Sequence, residues 1–105
     1  LCAEPEVYRA RYAERDKDPS VLDAVPWWLV DAGAALMGTL LAAADEGLGA
    51  GFLGGHALTG VTGILGVPHG VDVVGIVTLG PPADDRRSSS LDRAPRTGRV
   101  HRDHW

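Results

Sequence analysis

Two stretches of this 105-residue sequence have residue types and spacing that could do chemistry. The first is Gly47-Leu48-Gly49-Ala50-Gly51-Phe52-Leu53-Gly54-Gly55-His56, where five of ten residues lack a side chain. Backbone of that kind permits close approach by something large, and this is where a ligand would fit. The second is a series of arginines three apart, Arg93, Arg96, Arg99 and Arg102. A guanidinium presents a planar fork of donors suited to phosphate oxygens, so these side chains are candidates for holding a phosphate. The alternative reading is a solvated basic tail, because charge pattern alone does not distinguish the two.

Other patterns lack the context that their chemistry needs. Gly49-Ala50-Gly51-Phe52-Leu53-Gly54 satisfies G-x-G-x-x-G, but a helix runs into it where a dinucleotide fold requires a strand. Among four histidines, His101 and His104 stand at i, i+3 without a third ligand at zinc spacing, so no metal site is expected. His101-Arg102-Asp103 matches a kinase catalytic-loop triplet, yet the Gly-rich loop, paired lysine and metal-binding motif of kinases do not accompany it. No Ser, Cys or carboxylate sits in a recognisable catalytic arrangement, so no catalytic side chain is assigned. If the chain is an enzyme, a cofactor does the chemistry.

The elements that must position these residues follow from pattern. Pro5 at a first helical position, with Val7, Tyr8, Tyr12 and Ala13 at helical spacing, predicts a short helix over 5–15. Asp16 to Ser20 reads as a surface loop. Asp31 stands where an N-cap belongs, before an Ala/Leu-rich helix from Ala32 to Glu46 that Gly47 ends. That helix has two apolar stripes, Leu36-Leu40-Ala43 and Met37-Leu41-Ala44, and so demands cover on several sides. Trp27 and Trp28 read as core or interface residues. Thr59 is a candidate cap for a short helix through Leu65, closed by Gly66. Val71 to Leu79 reads as a central strand buried on both faces, with Gly80-Pro81-Pro82 stopping it. One strong strand makes no sheet, so others must be supplied elsewhere, and Leu1-Cys2-Ala3 is a candidate for the end of one. The class is α+β.

Composition narrows the function classes. Hydrophobic residues at 45% with 23% charged residues exclude wholesale disorder. The longest apolar stretch, Ala32 to Ala44, is too short to span a bilayer, and the first residues carry no secretory signal pattern. A lone Cys2 forms no internal disulfide, which makes a cytoplasmic setting the expectation. The net charge of −4 divides unevenly: residues 1–85 hold four basic and twelve acidic side chains (−8), and residues 86–105 hold six Arg and two Asp (+4). A body this acidic would repel nucleic acid, and no aromatics interleave with the arginines, so nucleic-acid binding is not expected.

Three segments together resemble the C-terminal half of an FMN-dependent nitroreductase-family protein. Trp28-Leu29-Val30-Asp31-Ala32-Gly33-Ala34-Ala35, followed by Leu40 through Ala50, is similar to that family's central helix and the turn after it. Ile64-Leu65-Gly66-Val67-Pro68, then Val73 through Pro82, resembles its Leu-Gly-Ile-Pro turn and late core strand. Arg93-Ala94-Pro95-Arg96 with Val100 through Trp105 resembles its closing Arg-rich segment. The family's N-terminal Arg-Arg-Ser-x-Arg motif is not in the sequence. The resemblance implies an α+β sandwich, helices on a mainly antiparallel sheet, formed as a homodimer with FMN at the interface. Residues 1–82 would belong to the C-terminal half of that domain, and 83–105 would be its Ser/Arg-rich linker and arm. It further implies that Phe52, Leu53, Gly54 and Gly55 pass beside the flavin, with a backbone N–H near N5, best at Gly54, and that Arg93 and Arg96 hold the FMN phosphate. The implied reaction is ping-pong reduction of a nitroaromatic, quinone or activated alkene by NAD(P)H. The competing expectation is a non-enzymatic fragment or small interaction domain whose basic arm binds an anionic partner.

Overall fold

A computed structural model describes residues 1–83; the arginine arm lies outside the described residues. In chain order the elements are β1 (Cys2–Ala3), α1 (Pro5–Tyr12), α2 (Val21–Ala24), α3 (Trp27–Asp45), β2 (Gly49–Gly54), a 3-10 turn (Gly55–Ala57), α4 (Val61–Leu65), β3 (Asp72–Val73) and β4 (Gly75–Gly80). The strands form two antiparallel pairs, β1 with β3 and β2 with β4, which is the α+β class expected.

The glycine-dense segment is a strand and not the turn that its composition suggested. Gly49 pairs with Gly80 and Gly54 with Gly75, so the missing partner of the Val/Ile-rich strand is supplied from within the chain. Glycine is normally poor in strands. Here it is required by close packing: a Cβ at Gly75 would meet the Leu53 carbonyl oxygen at 2.5 Å and the Phe52 ring at 2.5 Å, and a Cβ at Gly55 would meet the Val73 carbonyl oxygen at 2.2 Å. Leu1-Cys2-Ala3 does supply a strand, with Cys2 opposite Val73 and Ala3 opposite Asp72.

The predicted strand over 71–79 divides at Val74, whose N–H donates to the Leu1 carbonyl (3.0 Å) and whose carbonyl accepts from Gly55 N–H (2.8 Å). Its pieces belong to separate two-stranded pairs, β3 with β1 and β4 with β2, so it is not the central strand expected. It is not buried on both faces: Gly75 is buried, whereas Thr78 and Leu79 are exposed.

Helix α3 starts five residues before the expected start. Pro26 occupies the N-cap with φ −75°, so Trp27 and Trp28 join the first turn. Asp31 is therefore not a cap. It lies inside the helix and its carboxylate accepts a 2.6 Å hydrogen bond from the Tyr8 hydroxyl of α1. Trp28 meets Tyr8 edge to face at 6.2 Å between ring centroids, and the Arg9 guanidinium lies 5.5 Å from the centre of the Trp28 ring. These contacts outweigh the modest helix propensity of Trp and Val. At 19 residues and mean hydropathy 1.4 the helix is, by length and composition alone, long and apolar enough to cross a membrane, which corrects the shorter stretch read from sequence. Its C-terminus closes as expected. Gly47 takes φ 71°, Leu48 N–H donates to Ala43 and Gly47 N–H to Ala44, the paired bonds of a left-handed glycine cap. Gly66 closes α4 the same way through Val67 N–H to Thr62.

Helix α1 ends at Tyr12, short of Arg15, where the Arg11 guanidinium turns to hold Asp16 at 3.0 and 3.1 Å. That pairing holds the Asp16 carboxyl below its ordinary range. Gly60, with φ 75°, caps α4 in place of Thr59.

Within the described residues the buried apolar side chains are Ala3, Pro5, Ala32 and Ala43, and no large side chain is fully buried. The Ala32-Leu36-Leu40-Ala43 stripe of α3 turns inward. The second stripe stays open, with Met37 57% and Leu41 63% exposed, as do Leu29 and Val30 near the helix start.

Two outcomes follow. Gly55→Ala places a methyl group against backbone that cannot yield, so urea unfolding should show a loss of about 1–3 kcal/mol, the usual cost of overpacking. Wild-type stability would show that the strand crossing is looser than 2.2 Å implies. The bond to Asp31 raises the Tyr8 hydroxyl above its usual value, mainly because ionisation would break it. The neutral tyrosine is the favoured form, so this contribution is complete below the ordinary tyrosine range and disappears as pH rises through the shifted value. An ultraviolet tyrosinate titration should contain a late-titrating tyrosine that Tyr8→Phe removes.

Candidate functional site

The β2–β4 ribbon sets the geometry around the glycine-dense segment. Gly55 N–H bonds to Val74, which continues the register one step beyond Gly54↔Gly75. Antiparallel pairs alternate between hydrogen-bonded and non-bonded. Leu53↔Ile76, Gly51↔Thr78 and Gly49↔Gly80 are therefore the bonded pairs, and Ala50, Phe52 and Gly54 turn their N–H groups away from β4. The far strand confirms this alternation. Gly75 faces outward and meets Leu1, whose ammonium donates to the Gly75 carbonyl at 2.9 Å and whose carbonyl accepts from Gly75 N–H at 3.3 Å. No described strand runs along the outer edge of β2, so the Gly54 N–H points at an open edge.

Alternation also sorts the side chains. Ala50, Phe52, Gly54, Gly75, Val77 and Leu79 share one face, and Gly49, Gly51, Leu53, Ile76, Thr78 and Gly80 share the other. The Phe52 ring lies over Gly75. At Gly54 the backbone is extended, with φ −65° and ψ 148°, so no left-handed turn requires glycine there. What fills the space beside it is His56: a Cβ at position 54 would meet the imidazole Cε1 and Nδ1 at 3.0 Å each. The fold thus brings Phe52, Leu53, Gly54 and Gly55 onto one strand and the turn that follows it. Of these, Gly54 offers a free-facing N–H, whereas the Gly55 N–H is engaged by Val74. Arg93 and Arg96 lie outside the described residues.

Sequence reading passed over His56 as a surface histidine. Its one available signal was position, two residues after the glycine singled out as the ligand-facing one. Reading likewise missed a second cluster at the other end of the chain. Leu1, Val7, Tyr8, Trp28, Asp31 and Ala32 line an open groove of about 360 Å³ between β1, α1 and α3. Trp28 Nε1 is buried there with no hydrogen-bond partner among the described residues. None of Phe52 to Gly55 lines this groove. Among the described residues, no three His, Cys, Asp or Glu side chains converge as a metal site would need.

Comparison with known proteins places this geometry. The sequence profile of the nitroreductase family matches residues 5–81. The chain is 28% identical over 109 aligned positions to an Archaeoglobus fulgidus protein named "Putative NADH dehydrogenase/NAD(P)H nitroreductase". The alignment covers all of this chain and 55% of that relative, so the chain spans about half the length of the curated relative it matches. No solved structure matches. The helix, glycine ribbon and late strand all fall inside the matched residues, and the chain belongs to the nitroreductase family.

Proposed function

We propose that this chain is the C-terminal half of a cytoplasmic, FMN-dependent NAD(P)H oxidoreductase that works as a homodimer. Its acceptors are nitroaromatics, quinones or activated alkenes, reduced by a ping-pong mechanism. The observation that carries the reading is the N–H of Gly54, which faces outward on the edge of β2 away from β4. A planar ring approaching along that edge would meet the Phe52 ring over Gly75 and the His56 imidazole beside Gly54 on the face those glycines share, and an acceptor nitrogen of the ring can take the hydrogen bond. The described residues fit the ring-facing part of a flavin. Bound FMN would supply hydride transfer, taking hydride from NAD(P)H and giving it to the acceptor.

The chain's own residues bind and orient. Gly54 fixes the ring by one backbone bond, Phe52 and Leu53 bound it with apolar surface on the two faces of β2, and Gly55 locks the strand in register through Val74. Arg93 and Arg96 hold the phosphate by charge-assisted bonds. The open stripe of α3, Met37 and Leu41 with Leu29 and Val30 nearby, supports the dimer and the α+β sandwich, since a second subunit would remove that apolar surface from water. The competing reading, a small interaction domain acting through its basic arm, would leave the bare edge of β2 without a role.

The decisive measurement is the visible absorption spectrum of the purified full-length protein, where bound FMN gives a flavin band. A colourless protein that gains no band on adding FMN sinks the proposal. Charge-assisted bonds contribute about 1.5–3 kcal/mol each, so losing one phosphate-holding arginine should weaken FMN binding roughly ten- to hundredfold. An Arg93→Ala, Arg96→Ala double variant with unchanged affinity removes that assignment. Gly54 has an unstrained extended backbone, and a Cβ there meets the movable His56 imidazole at 3.0 Å and the Phe52 ring at an ordinary 3.9 Å. Gly54→Val should therefore fold and yet lose flavin or hydride transfer. Full FMN content with normal NAD(P)H reduction in that variant would place the ring elsewhere.

A further inference from the structure

We infer that His56 is the proton source of the site, an inference that rests on the flavin reading above. The ribbon and its turn are almost without ionisable groups. β2 and β4 carry none, and His56 is the one ionisable side chain of the turn. β3, against which Gly55 packs, adds Asp72 at its far end, opposite Ala3.

Position makes the histidine relevant. Its imidazole stands 3.0 Å from where a Gly54 Cβ would be, on the face that also carries Phe52. An atom accepting from the Gly54 N–H lies about 2.9 Å from that nitrogen, so the imidazole is within about 8 Å of it. A small acceptor stacked on a ring held there spans that gap. The side chain is exposed, so water can restore its proton after each turnover. The glycine at 54 then has a second role, as the position that leaves room for the imidazole.

The step balances as follows. Reduction of a quinone to a hydroquinone takes two electrons and two protons. The hydride, originally from NAD(P)H, supplies both electrons and one proton. His56 in its imidazolium form gives the second proton to the acceptor oxygen and becomes neutral imidazole, which water reprotonates. A positioned general acid accelerates such steps by roughly a hundredfold or more.

The test uses the full-length FMN-loaded protein, wild type beside His56→Gln and His56→Phe. Each is reduced by NAD(P)H and then mixed with a quinone or with ferricyanide, which takes up electrons without protons. The ratio of quinone to ferricyanide rates in wild type should fall as pH rises through the imidazole range. In both variants that pH step should vanish and the low-pH ratio should drop about tenfold or more. Independently of turnover, the visible band of bound FMN should shift with pH in wild type and lose that shift in both variants, because a charge beside the ring appears and disappears only when His56 is present. An unchanged ratio profile and an unchanged spectral titration in the variants overturn the role of His56 while leaving the flavin reading intact. Absence of a flavin band from wild type overturns both.

Discussion

The crossing of Gly55 over the Val73–Val74 backbone is the contact on which the rest of the described fold depends. It is possible only without a Cβ, and it fixes the antiparallel register of β2 on β4. From that register follow the face that Phe52 occupies, the edge to which Gly54 turns its N–H, and the outward aim of Gly75 toward Leu1. A slip of one residue would exchange both faces and send the Gly54 N–H into the ladder. The open edge is thus a consequence of two packed backbones rather than of a flexible loop.

Much of this could be read from residue types. The α+β class and the left-handed closure of α3 at Gly47 and of α4 at Gly66 follow from local rules that the fold obeys, whereas the cover expected on several sides of α3 is absent among the described residues. The strand nature of Gly49–Gly54 does not follow from such rules, because a segment rich in glycine has the propensities of a turn, and only a partner strand distant in sequence, Gly75–Gly80, makes it extended. The same applies to Asp31. An acidic residue before an Ala/Leu run has the pattern of a cap, and the Tyr8 hydroxyl that claims it is distant in sequence. For the candidate site, Gly54 was legible as a place of close approach, while the reason for glycine there was not. The extended backbone and the imidazole beside it emerge only from three-dimensional placement.

The helix α3 connects these parts. Its inner stripe carries small residues at Ala32 and Ala43, which let β1 and β2 come close, and its first turn holds α1 through Trp28 and Asp31. The groove beside Trp28, with an indole N–H that has no partner among the described residues, is lined in part by Leu1, which bonds to Gly75, the partner of Gly54.

Under the proposed dimer, the uncovered stripe makes stability a matter of concentration. A second subunit covering Met37 and Leu41 would bind the folded chain and not the unfolded one, so its free energy would add to folding by mass action. An unfolding midpoint for this chain then has meaning only together with the amount of covering partner present. Dilution would act on it as a denaturant does, by favouring the state in which α3 has no neighbour to hide against.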